Sequence, residues 1–158
     1  MARPRRGGEV FERGTDGPKV IVVGVDDSEA SWRAVAYAVG LARRQGALLA
    51  MVHVRPVSAM AAVAGVSVVT AEPGTATAER ICGRLRAGLA SMTEVRSLRW
   101  EFHSVVGGDV VAALSQQADE LKADAVVVGA SHGLGHRFVG SAAVRLVRAR
   151  RWPVTVVP

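Results

Sequence analysis

The stretch Lys19-Val-Ile-Val-Val-Gly-Val-Asp-Asp-Ser-Glu29 decides the fold. Residues 19–25 form a continuous, β-branched run, the pattern of a strand covered on both faces rather than wet on one. The run halts at once on two acids and a serine. Ser28 or Asp27 can cap a helix there, and acids favour its positive end. A doubly covered strand that delivers the chain straight into a helix is the first half of a β-α-β unit.

Downstream the alternation repeats. Ala30, Ala34, Ala38 and Leu41 recur at helical spacing until Gly46, which stops the helix. Residues 47–54 (ALLAMVHV) read as a second buried strand closed by Arg55-Pro56. A stretch of low charge runs to Gly74. Residues 75–93 read as an Ala-rich helix weakened by Gly83 and Gly88. Residues 98–105 alternate in part and read as a third strand. Gly107-Gly108-Asp109 turns the chain into a helix with Val111, Leu114, Ala118 and Leu121 inward. Residues 123–129 form a fourth strand, 129–140 a glycine-rich loop, 141–150 a short helix and 152–157 a final strand. Strands separated by helices are parallel, so this order predicts an α/β fold: an open, doubly wound parallel sheet of five strands with helices on both faces. Ligands of such sheets bind beyond the carboxyl ends of the strands, where the strand order reverses.

Composition fits one domain and narrows its chemistry. The chain has 158 residues, 49% hydrophobic and only 4% aromatic, so the core is built from small and β-branched side chains. Residues 1–18, rich in Gly, Pro and Arg, are expected to be a disordered tail, and residues 19–158 one α/β domain without an internal repeat. One cysteine, Cys82, excludes an internal disulfide and a cysteine-rich zinc site, and suits a reducing, cytoplasmic setting. No secretory signal is visible, and the longest uncharged run, Pro56–Ala71, has 16 residues, short of a membrane span. The formal charge is +6, and residues 125–158 carry five arginines and no acid. Those arginines have only Phe138 and Trp152 among them, which points to an anion-friendly or solvated surface and not to nucleic acid.

Two strand ends carry the chemistry. Gly24-Val-Asp26-Asp27-Ser28 offers close backbone approach plus an acid and a hydroxyl able to grip a ribose or a metal-bound phosphate; its plainer reading is a capped turn. Gly129-Ala-Ser-His-Gly-Leu-Gly-His-Arg-Phe-Val-Gly140-Ser141 can present N–H groups and a helix dipole to an anion; its plainer reading is a flexible connection. Gly129-Ala-Ser131-His-Gly133 also matches a nucleophile elbow, yet no acid follows Asp124 to complete a triad, so a small serine hydrolase is the weaker alternative. His132 and His136 stand four apart in a glycine-rich stretch with no acid after them, a poor metal site. His53 reads as a core or rim residue. No phosphate-binding P-loop is present.

The strand ending Gly24-x-Asp26-x-Ser28, the strand with Val52-His53-Val54, and the closing VVVGASHG…VGSAAVRLVRARRWPVTVVP together resemble the universal stress protein family over residues 19–158. The resemblance implies a strand order of 3-2-1-4-5, a homodimer joined through the last strand, and a role in stress or growth control, with ATP or a related adenine nucleotide bound rather than turned over and Mg2+ present only with the nucleotide. By position it implies nucleotide contacts from Gly24, Val25, Asp26 and Ser28, an adenine slot at Val54, and ribose and phosphate contacts at Gly129, Gly140 and Ser141; Gly133 of the same stretch joins the candidate contacts, and Arg137 is the arginine best placed to approach a phosphate. The sequence departs from the family's ATP pattern, G-x2-G-x9-G-[ST]: ten residues separate Gly129 from Gly140, where the pattern has twelve. Two fewer residues remove up to ~7 Å of reach, which favours an anion smaller than a triphosphate. The alternative is a nucleotide-free dimeric scaffold whose 56–71 segment meets a protein partner. No membrane partner is expected.

Overall fold

The computed structural model describes residues 17–57, 74–130 and 141–158. Among them the order is β1 (Val20–Gly24), α1 (Glu29–Gln45), β2 (Leu48–Pro56), α2 (Thr75–Ala90), a 3-10 turn (Thr93–Val95), β3 (Arg99–Gly107), α3 (Val110–Glu120), β4 (Ala125–Gly129), α4 (Ser141–Ala149) and β5 (Val154–Val157). The strands form one parallel sheet in the order β3-β2-β1-β4-β5. β1 is thus central, and the order reverses between β1 and β4, as the family resemblance implied.

The burial of β1 explains its composition. Ile21, Val22 and Val23 are fully buried, and their side chains alternate between two cores. Ile21 and Val23 join Leu49, Met51, Ile81, Leu85 and the small residues Ala34 and Ala38 beneath α1 and α2. Val22 joins Val52, Leu114, Val126 and Leu146 beneath α3 and α4. Each such aliphatic side chain stabilises the fold by roughly 1.5–3 kcal/mol when fully removed from water. The start of β1 is tied to the start of β4 by Asp124, whose Oδ2 accepts from the N–H groups of Lys19 (2.8 Å) and Val20 (2.9 Å).

The helix ends follow local chemistry. Ser28 caps α1, its Oγ accepting from Ser31 N–H at 3.1 Å, and Gly46 closes it in the left-handed region at φ 63°. Asp109 caps α3 through the N–H groups of Val111 and Ala112. Some details differ from expectation. α2 runs unbroken through Gly83 and Gly88 because Ala78, Ile81 and Leu85 anchor its inner face. In α1 the inward position near the carboxyl end is Ala42, while Leu41 is only partly buried. Leu121, at the end of α3, is likewise half-buried. Residues 1–16, which hold most of the predicted tail, and residues 58–73, which hold most of the 56–71 segment, lie outside the described residues.

Candidate functional site

β1 and β4 pair in parallel, so their carboxyl ends open at the same edge of the sheet. A cavity of about 170 Å³ lies there, lined by Gly24, Asp26, Ser28 and Ser31 on one side and by Val128, Gly129, Ala130, Ala142 and Ala143 on the other. Leu114 and Val110 of α3 complete its wall. The two glycines serve it differently. A Cβ on Gly24 would come 3.4 Å from Leu114 Cδ2 and 3.6 Å from Val128 Cγ1, ordinary contacts within the cavity wall. A Cβ on Gly129 would run into the backbone of Ala30 and Ser31, at 2.5–2.8 Å. Gly129 is therefore demanded by the packing of β4 against the first turn of α1, whatever else it does.

The turn after β1 is held by a compact set of bonds. Asp26 Oδ1 accepts from Ser28 N–H at 3.0 Å, and Asp26 N–H donates to Ser31 Oγ at 3.3 Å. The Ser31 hydroxyl in turn donates to Ser28 O at 2.9 Å. Burial alone would push the Asp26 carboxyl up, but hydrogen bonds from Ser28 and Ser31 outweigh it and hold the group below its usual range. Asp26 is thus an anion at neutral pH, fixed at the cavity mouth with acceptor capacity to spare.

Asp27 turns the opposite way. Its backbone is in the left-handed region, at φ 66°. Its Oδ2 accepts from Arg80 Nη2 (2.8 Å) and Nε (3.1 Å), and its Oδ1 from Arg84 Nη1 (2.8 Å) and Trp32 Nε1 (3.0 Å). Arg84 also stacks over the Trp32 ring, 4.1 Å from its centroid. The Arg80 and Trp32 bonds lower the Asp27 pKa. Adjacent carboxylates therefore have separate duties: Asp27 fastens the β1 turn to α2, and Asp26 faces the cavity.

Beside the cavity, Asp109 joins two helices. It caps α3 and also accepts from Arg145 Nη2 of α4 at 2.5 Å, which with the cap bonds lowers its pKa to about 2. The first turn of α4 contributes Ala142 and Ala143 to the lining, so the positive end of that helix lies at the cavity.

Of the residues singled out in the sequence, Gly24, Asp26, Ser28 and Gly129 converge on this cavity. Ser141 opens α4 but is not in the lining. Val25 is buried in the opposite core; its N–H donates to Val52 O, and its carbonyl accepts from His53 Nδ1 at 2.8 Å. His53 is accordingly a buried, partnered core residue. Val54 shares the cavity's face of the sheet but lies outside the lining. Gly133, Arg137 and Gly140, with Ser131, His132 and His136, fall outside the described residues. The arginines of the last segment are not uniformly solvated: Arg145 pairs with Asp109, and Arg151 pairs with Asp119 and stacks on Trp152. Ser31 and the Asp109–Arg145 pair escaped the sequence reading. A serine on the face that carries Ala34 and Ala38 was the available signal for Ser31.

Among the described residues no His, Cys, Asp and Glu cluster could hold a metal, and no helix is long and apolar enough to cross a membrane.

Comparison with known structures finds the same architecture. A universal stress protein family structure from Burkholderia pseudomallei is 26% identical, with TM-score 0.60, covering 89% of this chain and 96% of that one. A universal stress protein in complex with cAMP is 27% identical, with TM-score 0.61 and coverage of 89% and 96%. The universal stress protein from Archaeoglobus fulgidus in complex with dAMP is 26% identical, with TM-score 0.53 and coverage of 87% and 96%. A search of curated proteins returns no match. The profile of the universal stress protein family matches residues 18–158. With that match across the whole sheet, the chain belongs to the universal stress protein family.

Proposed function

We propose that this chain binds an adenine mononucleotide in the β1–β4 crevice and acts as a regulatory binding domain, not as a catalyst. The observation that carries the reading is the cavity itself: a fixed carboxylate, Asp26, two small residues, Gly24 and Gly129, and the first turn of α4 line one hollow. A carboxylate accepts hydrogen bonds from ribose hydroxyls, and a helix amino-terminus favours a phosphate. Gly140 and Ser141, at the entry to α4, are the proposed phosphate contacts, with Arg137 adding charge. Structures of similar proteins of the family are complexes with cAMP and with dAMP. The short Gly129–Gly140 segment and the small cavity support a monophosphate over ATP. Mg2+ would accompany a triphosphate only.

Calorimetric titration with AMP, cAMP and ATP tests this. AMP or cAMP should bind, and ATP with Mg2+ should bind no more tightly. Absence of heat and of any thermal shift with all three at millimolar concentration would sink the nucleotide reading and leave the nucleotide-free scaffold. Ester cleavage lost in Ser131→Ala would instead support a hydrolase.

A further inference from the structure

The opposite face of the sheet holds a larger hollow that the β1–β4 crevice does not use. α1 and α2 diverge there to leave about 480 Å³, within the range of ligand-sized pockets. Its walls are apolar, formed chiefly by Val35, Val39, Leu85 and Leu89. Its depth comes from missing side chains: Gly88 lines it, and a Cβ there would meet nothing within 4 Å. Met92 stands at its margin, 47% exposed. The charges lie at its ends. Arg84 sits at the Trp32 end, held by Asp27 and still rich in N–H donors. At the other end are Arg43 and Glu94, whose side chains make no ion pair or hydrogen bond with one another or with any other side chain among the described residues.

The amino-terminal segment leaves the domain beside that second end. Gly17 lies against Gln45, two residues beyond Arg43 on α1, so close that a Cβ would collide with the Gln45 side chain. Six residues before Gly17 stands Phe11, within Glu9-Val10-Phe11-Glu12-Arg13, and glycines flank this cluster at Gly7, Gly8 and Gly14. Val10 and Phe11 are the segment's one adjacent apolar pair of any size, and acids bracket them. Six residues reach up to ~20 Å. The hollow spans twelve residues of α1, from Trp32 to Arg43, or ~16 Å end to end. Reach, apolar content and charge order therefore agree.

We propose that this hollow is the docking site of the chain's own amino-terminal segment, with Phe11 seated over Gly88 between α1 and α2, Glu12 beside Arg43 and Arg13 beside Glu94. Docking buries an aromatic ring and covers the exposed Met92.

The test uses the full chain with 13C-labelled methionine methyl groups. Phe11→Ala should shift the Met92 methyl resonance through loss of the ring current and leave Met51, buried in the core, unmoved. Gly88→Leu, whose Cβ would meet nothing within 4 Å and whose side chain would occupy the seat, should make a subsequent Phe11→Ala silent at Met92. An unmoved Met92 resonance in Phe11→Ala overturns the proposal. So does a Phe11→Ala effect that fades on dilution, which would assign the hollow to another copy's segment. Dodecanoate that shifts Met92 equally well in wild type and Phe11→Ala would show the hollow open to free amphiphiles and also overturn it.

Discussion

Gly129, the last residue of β4, packs against the peptide of Ala30 in the first turn of α1 so tightly that a Cβ would come 2.5 Å from Ala30 C. Backbone cannot swing aside as a side-chain tip can. Gly129→Ala should therefore destabilise the fold by roughly 1–3 kcal/mol, the usual cost of overpacking, read as a lower midpoint in urea. Gly24→Ala, whose Cβ meets only ordinary contacts, should change stability by less than about 1 kcal/mol. Equal midpoints for the two variants would contradict this contrast.

Asp26→Asn keeps an oxygen to accept from Ser28 N–H and removes only the charge. Hydrogen bonds to charged groups contribute ~1.5–3 kcal/mol, so AMP affinity should fall by about 10- to 100-fold with little change in melting temperature. Calorimetry with unchanged affinity would mean that Asp26 serves the turn alone.

Ser28→Ala removes the side-chain cap of α1. A lost cap costs about 1 kcal/mol, and the Ser31 N–H loses its acceptor. Urea unfolding should show that decrease, whereas Ser28→Asp should retain most of the stability. A wild-type midpoint for Ser28→Ala would argue against the cap.

Acid should uncouple α3 from α4. The Asp109 carboxyl falls from 3.8 to about 2 because of Arg145 first and the capped amides next. A lowered carboxyl pKa contributes stability that is present in full above the unfolded value and disappears as pH falls through the folded one. The coupling between Asp109→Asn and Arg145→Met in a double-mutant cycle should therefore be measurable above pH 3.8 and vanish below about 2. Coupling that persists in stronger acid would refute the ionic account.

Ending the chain after Arg151 should yield a monomer or an insoluble product. β5 covers β4 along the whole register from Val154 to Val157, and Pro158 O accepts from Arg33 Nε at 2.7 Å. Removing the strand exposes β4 as a new apolar edge. Light scattering that reports the full chain's mass state, unchanged and soluble, would contradict this.

The sheet was legible because its signals are local. The run 20–24, the stop at Gly46 and the cap at Asp109 each announce themselves within a few residues, and parallel pairing follows from the helices between the strands. The candidate site was legible in half. Gly24, Asp26, Ser28 and Gly129 stand at strand ends, so topology alone brings them together. What stayed hidden depends on where side chains from distant segments point. Asp27 and Arg80 are 53 residues apart, Asp109 and Arg145 are 36 apart, and no spacing rule joins either pair. Ser31 was hidden for another reason: in a helix's first turn a serine passes as solvent-facing unless the depth of that face is known.

The two rims of the sheet are unlike. β5 offers four residues without a charge, whereas β3 is nine residues long and carries Arg99, Glu101 and His103, the last two joined at 3.0 Å. Charged margins resist strand addition. Any growth by strand pairing would start at Val154–Val157 and end there, because each added copy would turn its polar β3 margin outward. Such an assembly would be self-limiting, stopping at ten strands in two chains.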